Sequence, residues 1–205
     1  MTRKRAPFAL LALLVLLALL ALLAPAPSLR ALGVAAPDGD FARIMRLLRE
    51  HPHRRARFTE RQHLAVLDRP LEVTGELLYD APDRLEERLL RPRRESVLVD
   101  GDRLTVTRGK HRRVLDLTRY PPIATLIESI RATLAGDAAA LSRSFTVDFS
   151  GDVARWTLRL TPRPAALARR VALIRIDGAR GALLRVEIRE TDGDRSSMRI
   201  EDEAR

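Results

Sequence analysis

The hydrophobic pattern changes period twice along the chain. Phe41, Ile44, Met45 and Leu48 fall at i, i+3, i+4 and i+7 of FARIMRLL, the spacing of a single helical face. Asp40 stands just before them as an N-cap candidate. The spacing predicts an amphipathic helix ending at His51-Pro52. From 58 onward the period is two. Residues 58–67 read as a strand, and Leu71, Val73, Leu77 and Tyr79 alternate with Glu72, Thr74 and Glu76 in a second. Leu85, Glu87 and Leu89 share one face of a third. Strand 95–100 turns at DGD into 104–107, and RGK turns again into 112–117, short connections that imply antiparallel hairpins.

After Tyr120-Pro121-Pro122 the helical period returns. Ile123, Leu126, Ile127, Ile130 and Leu134 form an apolar stripe that stops at Gly136, and Asp137 is placed to cap a short piece, AAALSR. Strands resume at 144–149, 153–161, 171–177, 182–190 and 195–201, separated by SGD, TPRPAALARR, DGARG and TDGD. Eleven antiparallel strands with two or three helices predict a mainly β domain over 38–205. Its one wide sheet must curl, and the helices must cover a face of it. Alternation alone leaves open whether the interior is a packed core or a slot for an apolar ligand.

Residues 1–28 carry Arg3, Lys4 and Arg5 ahead of an unbroken apolar run from Phe8 to Ala24. That is the layout of a secretory signal, and it predicts an exported chain. The run falls just short of the ~20 residues that span a bilayer, so an uncleaved anchor is the other reading. The Ala/Pro-rich stretch 29–37 reads as a linker. The chain has no cysteine, which excludes disulfides, thiol chemistry and acylation on cysteine. Its net charge is +10, and three of those charges lie in the leader. Nearly all the remaining cations are arginines spread along the strands, without interleaved aromatics. This pattern solvates outer faces or meets anionic head groups, and it argues against nucleic-acid binding.

Candidate chemistry is sparse. No Gly-x-Ser-x-Gly elbow accompanies any serine, and Ser196 and Ser197 open an alternating strand. His51 and His53 lack neighbouring carboxylate or thiolate ligands at metal spacing. The pairs Asp100/Asp102 and Asp192/Asp194 flank glycines in place of following the twelve-residue calcium pattern, so both read as hairpin turns. No catalytic residue, metal or cofactor is expected.

Five segments nevertheless resemble one family in the family's own order: FTERQ (58–62), TGELLYDAPDRL (74–85), VDGDRL (99–104), WTLRLTPR (156–163) and GALLRVEIRETDGDRSSMRI (181–200). The chain resembles the LolA family, periplasmic carriers of outer-membrane lipoproteins, and more closely its LolA-related branch. The resemblance implies an incomplete, unclosed antiparallel barrel of about eleven strands with a helical lid. It also implies a monomer that shelters the acyl chains of a lipoprotein or lipid cargo, receives them from an inner-membrane transporter or exporter, and passes them to an outer-membrane acceptor. The expected cavity wall is Phe58, Leu71, Val73, Leu77, Tyr79, Leu85, Leu89, Val97 and Val99 from the strands, with Ile123, Leu126, Ile127 and Ile130 from the inserted helix. The expected lid helix is that of Phe41, Ile44, Met45 and Leu48.

The chain departs from the family pattern in two places. The usual Arg-Pro-x-x-Phe-x-Trp reads Ala81-Pro82-Asp83-Arg84-Leu85-Glu86-Glu87, which removes the arginine that latches the lid and leaves Arg84 and Arg88 as the nearest replacements. The family's Tyr-x-Pro-x-x-x-Gln loop is replaced by the short turn TRGKHRR (107–113). Members of the related branch look like accessories of lipid export beside large resistance-nodulation-type exporters, which suggests a non-protein lipid cargo. The same fold resembles periplasmic lipid sensors that bind an anti-sigma factor. Those carry a second domain after the half barrel, and a chain ending at Arg205 suits the carrier better.

Overall fold

A computed structural model describes residues 39–202; the leader, the linker and Asp38 lie outside the described residues. Helix α1 (Gly39–Arg49) precedes strands β1 (His53–His63), β2 (Leu71–Asp80), β3 (Arg84–Arg91), β4 (Glu95–Asp100), β5 (Arg103–Arg108) and β6 (His111–Asp116). A short 3-10 turn (Leu117–Arg119) leads into helices α2 (Pro121–Leu134) and α3 (Ala138–Ser144). Then come β7 (Phe145–Gly151), β8 (Trp156–Pro162), the one-turn helix α4 (Ala165–Ala168), β9 (Val171–Ala179), β10 (Ala182–Glu190) and β11 (Arg195–Asp202). All eleven strands join one antiparallel sheet in the order β6-β5-β4-β3-β2-β1-β11-β10-β9-β8-β7. The first and last strands meet at its centre. β6 and β7 are its two edges, and they do not pair with each other, so the barrel stays open.

Several boundaries differ from the sequence reading. β1 begins five residues earlier than expected and ends at His63. The alternation of exposed Arg55, Arg57 and Arg61 with buried Ala56, Phe58, Glu60 and Gln62 starts inside the arginine-rich stretch, where charge obscures the apolar signal. Asp40 lies in the first turn of α1, where its charge complements the helix dipole; the capping position falls outside the described residues. The Pro-rich linker 161–170 folds α4, whose Leu167 is fully buried. A chain of Arg-rich positions on the convex side, Arg55, Arg57, Arg61, Arg159, Arg189 and Arg199, is exposed to solvent.

The interior is divided. One core gathers α1, α3 and α4 against β7–β9 around Trp156, Phe145 and Leu158, with the Phe41 and Phe149 rings 5.6 Å apart. A second packs Ile123 and Ile127 of α2 against Val99, Leu104 and Val106. A small third cluster holds Phe58, Val73 and Leu89. Helix α2 spans the first two. Two prolines start it, where their missing N–H groups cost nothing. Gly136 ends it at φ 63°, pressed against the Met45 carbonyl, so only glycine serves both the left-handed turn and the close approach. The Asp137 side chain then accepts from Ala140 N at 2.9 Å, capping α3 as its sequence suggested.

TDGD forms the β10–β11 hairpin turn. Asp192 accepts from Asp194 N at 3.1 Å, and Asp194 reaches across to accept from Ala65 N at 2.7 Å in the β1–β2 connection. A cluster that looks like chemistry in sequence therefore ties two neighbouring turns together.

The Trp156 ring lies directly over Gly178, whose Cβ position it already occupies. Gly178→Val is expected to lower stability by about 1–3 kcal/mol through this overlap, measured by urea unfolding followed by Trp156 fluorescence.

Candidate functional site

Between the two main cores the concave face is not filled. A cavity of about 220 Å³ lies over β1, β2, β3, β10 and β11 and beneath α2. Strand register places its wall in rows. Ala56 stands opposite Leu77, which stands opposite Glu87; one row on, Arg54, Tyr79 and Leu85 align. Val186, Ile188, Met198 and Ile200 close the other side, and Leu126, Ile130 and Leu134 of α2 form the roof. Ile130 is 37% exposed, so the cavity opens to solvent beside it.

The structure brings five of the expected wall residues to this cavity: Leu77, Tyr79, Leu85, Leu126 and Ile130. Phe58, Val73 and Leu89 pack on one another, with Leu71 against them. Val97, Val99, Ile123 and Ile127 belong to the core beside β4 and β5. The α1 residues Phe41, Ile44, Met45 and Leu48 are buried against β7–β9, and none of them lines the cavity. The helix that covers it is α2. The contribution of β10 and β11 escaped sequence reasoning because a register joining the last strand to the first cannot be seen in local alternation. The signal in Glu87 was legible: it shares a face with Leu85 and Leu89.

Arginines fix the helices over the sheet by donating to backbone carbonyls. Arg131 of α2 bonds the Asp83 carbonyl and, at 2.7 Å, the Gly101 carbonyl, so it spans the β2–β3 and β4–β5 turns. Arg49 of α1 donates to Gly136 O at 3.0 Å. Arg54 donates to Leu48 O and Gly181 O, both at 2.8 Å. Arg84 and Arg88, the nearest replacements in the sequence, do not take this part. Arg88 pairs with Glu86 at 2.8 Å, and Arg84 lies 3.7 Å from Asp100 and 3.9 Å from Asp80, all on the outer side. The tie here runs from helix to strand turns.

Three acidic groups reach the cavity wall. Glu60 is buried, accepts from Gln62 Nε2 at 2.9 Å and bonds Ser196; burial outweighs both bonds and pushes its carboxyl up. Glu87 has no hydrogen-bond or ion-pair partner among the described residues, and burial, with the Glu60 charge added, pushes it up to about 8. The Tyr79 hydroxyl is buried without a partner, and burial raises it against the opposing pull of Arg54 and Arg131. Among the described residues no three His, Asp or Glu side chains are grouped to hold a metal, and no helix is long and apolar enough to cross a membrane.

An open half-barrel with an apolar cavity under a helix has a shape suited to holding an apolar molecule. The family described as outer membrane lipoprotein carrier protein LolA-like matches residues 34–204, and the chain belongs to it. No curated protein matches the sequence. Among solved structures, the LolA superfamily protein NE2245 from Nitrosomonas europaea is 13% identical, with a TM-score of 0.42 over 78% of this chain and 90% of that one. The Pseudomonas aeruginosa MucA/MucB complex aligns at 15% identity and TM-score 0.43, covering 79% of this chain but 56% of that chain. LprF from Mycobacterium bovis aligns at 12% and TM-score 0.35, over 81% and 93%.

Glu87 keeps its proton to about 8 when folded, whereas glutamate has an ordinary value of 4.5. Between these values the folded state binds more protons than the unfolded one, so stability falls as pH rises from about 4.5 to 8. Burial also pushes up Glu60 and, with Asp192 and Asp194 adding, Glu190 to about 7, so calorimetry is expected to show the unfolding temperature dropping across this interval and Glu87→Gln to remove only part of the drop.

Proposed function

We propose that this protein is a periplasmic carrier that shelters the acyl chains of a lipid, moving them from an inner-membrane exporter to an outer-membrane acceptor. The observation that carries the reading is the cavity beneath α2: an apolar space left unfilled between two packed cores, with its roof on a single helix. The basic leader with its apolar run supports export. Loss of the family's strand motif and long loop favours a lipid over a lipoprotein as cargo.

The physical basis is transfer of methylene groups out of water. Each buried CH₂ contributes about 0.8 kcal/mol, so ten of them contribute roughly 8 kcal/mol before the cost of association. The present cavity is smaller than the ~300–1,000 Å³ typical of ligand pockets. A chain therefore enters as α2 swings out, replacing the contacts that Leu126, Ile130 and Leu134 make with the wall. Release is the reverse exchange: the helix stripe reclaims the space. The difference between the two states stays small because cargo and lid bury comparable apolar surface in turn. Arg131 biases that exchange toward closure through its two carbonyl bonds.

Native mass spectrometry of the gently extracted protein is expected to show bound acyl-chain mass. An always-empty protein that also ignores a fluorescent fatty acid removes the proposal. Leu77→Glu and Ile130→Glu are expected to abolish uptake while circular dichroism stays unchanged, because an acyl chain laid over either position must desolvate a charge. Arg131→Ala is expected to speed amide exchange along 121–134 and to accelerate fatty-acid uptake severalfold. Transfer between vesicles separates a carrier from a sensor that binds and keeps its lipid.

A further inference from the structure

Two polar groups in the cavity have no partner, and they stand where a carried chain would lie. Glu87 projects from β3 between Leu77 of β2 and Val97 of β4 in register, with Leu85 and Leu89 on either side along its own strand. Tyr79 is 3% exposed, lines the same cavity, and its hydroxyl bonds nothing. Register puts Tyr79 opposite Leu85 and Glu87 opposite Leu77, so the two are diagonal neighbours on one face.

In an empty cavity solvent reaches the half-buried Glu87 carboxyl, whereas the Tyr79 hydroxyl is closed off from solvent and stays unpaired until the wall opens around an occupant. A bare hydrocarbon that displaces solvent leaves both unpaired, and each buried unsatisfied group is unfavourable. An occupant carrying carbonyl oxygens removes that penalty. We propose that the cavity selects lipids bearing ester or amide carbonyls within the buried portion, with the Glu87 carboxyl and the Tyr79 hydroxyl donating hydrogen bonds to them. This inference rests on the carriage reading and narrows its cargo.

The surroundings favour a neutral acceptor over a cation. The groups on the strands around Glu87 are Glu60 and Arg54 on β1, Tyr79 on β2, and Glu95 on β4, which is held by Arg108 of β5 at 2.8 Å. The roof residues of α2 at the cavity are apolar. An ammonium brought here must lose its hydration and faces the Arg54 guanidinium on the same wall, whereas a carbonyl brings no charge. Burial keeps the Glu87 proton on at neutral pH and so keeps it a donor; a protonated carboxyl donating from an apolar site is an arrangement with precedent in enzyme oxyanion holes.

The test is competition against the neutral dye N-phenyl-1-naphthylamine bound to the full chain, using methyl nonanoate, decane and decylamine. At pH 6.5 the ester is expected to displace the dye about fivefold better than decane. That preference is expected to fade as pH rises through about 8. Glu87→Gln, whose amide still donates, is expected to keep the preference and make it independent of pH. Glu87→Leu is expected to lose most of it, and Tyr79→Phe part of it. Equal displacement by ester and decane in the unmodified chain, or a preference untouched in Glu87→Leu, overturns this inference alone and leaves carriage standing. Stronger displacement by decylamine overturns it in favour of an ion pair. A chain that takes neither dye nor any of the three ligands overturns the carriage reading, and this inference with it.

Discussion

The structure depends on keeping the concave face of an open sheet away from water. Eleven strands present a wide apolar face to only four helices, and the sheet does not close on itself, since β6 and β7 remain separate edges. The chain solves the two ends by solid packing: Trp156, Phe145 and Leu158 under α1 and α3 at one, Val99, Leu104 and Val106 under the start of α2 at the other. The middle is left to a single helix. In the closed state α2 packs into both cores and lays Leu126, Ile130 and Leu134 over the cavity between them.

Polar anchoring follows the same division. Helices that must seal a surface without filling it need directional ties, and here the ties are arginine to backbone carbonyl. Arg131 grips two hairpin turns, Arg49 grips the turn after α2, and Arg54 grips the end of α1 and the β9–β10 turn. Each guanidinium donates to carbonyls at a helix end or in a turn. Such bonds define a closed state, and none of the three arginines is itself part of either core. Arg55, Arg57, Arg61, Arg159, Arg189 and Arg199 face solvent on the convex side, so their charge is not directed at the cavity.

The outline of the fold was legible in local pattern. Period two between 58 and 117, a helical stripe from Ile123 to Leu134, Gly136 as its stop and Asp137 as the next cap all reappear in the structure, because each rests on neighbours within a turn or a hairpin. The cavity was only partly legible. Leu77, Tyr79, Leu85, Leu126 and Ile130 were reachable from alternation and the inserted stripe, whereas Phe58, Val73, Val99 and Ile127 carry the same pattern and are packed solid. Apolar alternation reports which face a residue takes, and it is silent on what stands across from it.

The sequence by itself determined most of the strand and helix segments, the sheet's two faces, the turn at Asp192-Gly193-Asp194 and membership in a carrier family, since these follow from spacing, turn chemistry and ordered motifs. Tertiary structure decided which apolar residues face empty space, that α2 and not α1 is the roof, and that Arg131 holds it down. It also set Glu87 and Tyr79 side by side without partners. These facts depend on pairing between β1 and β11 and on a helix laid across strands far away in the chain. No local period encodes contacts of that range.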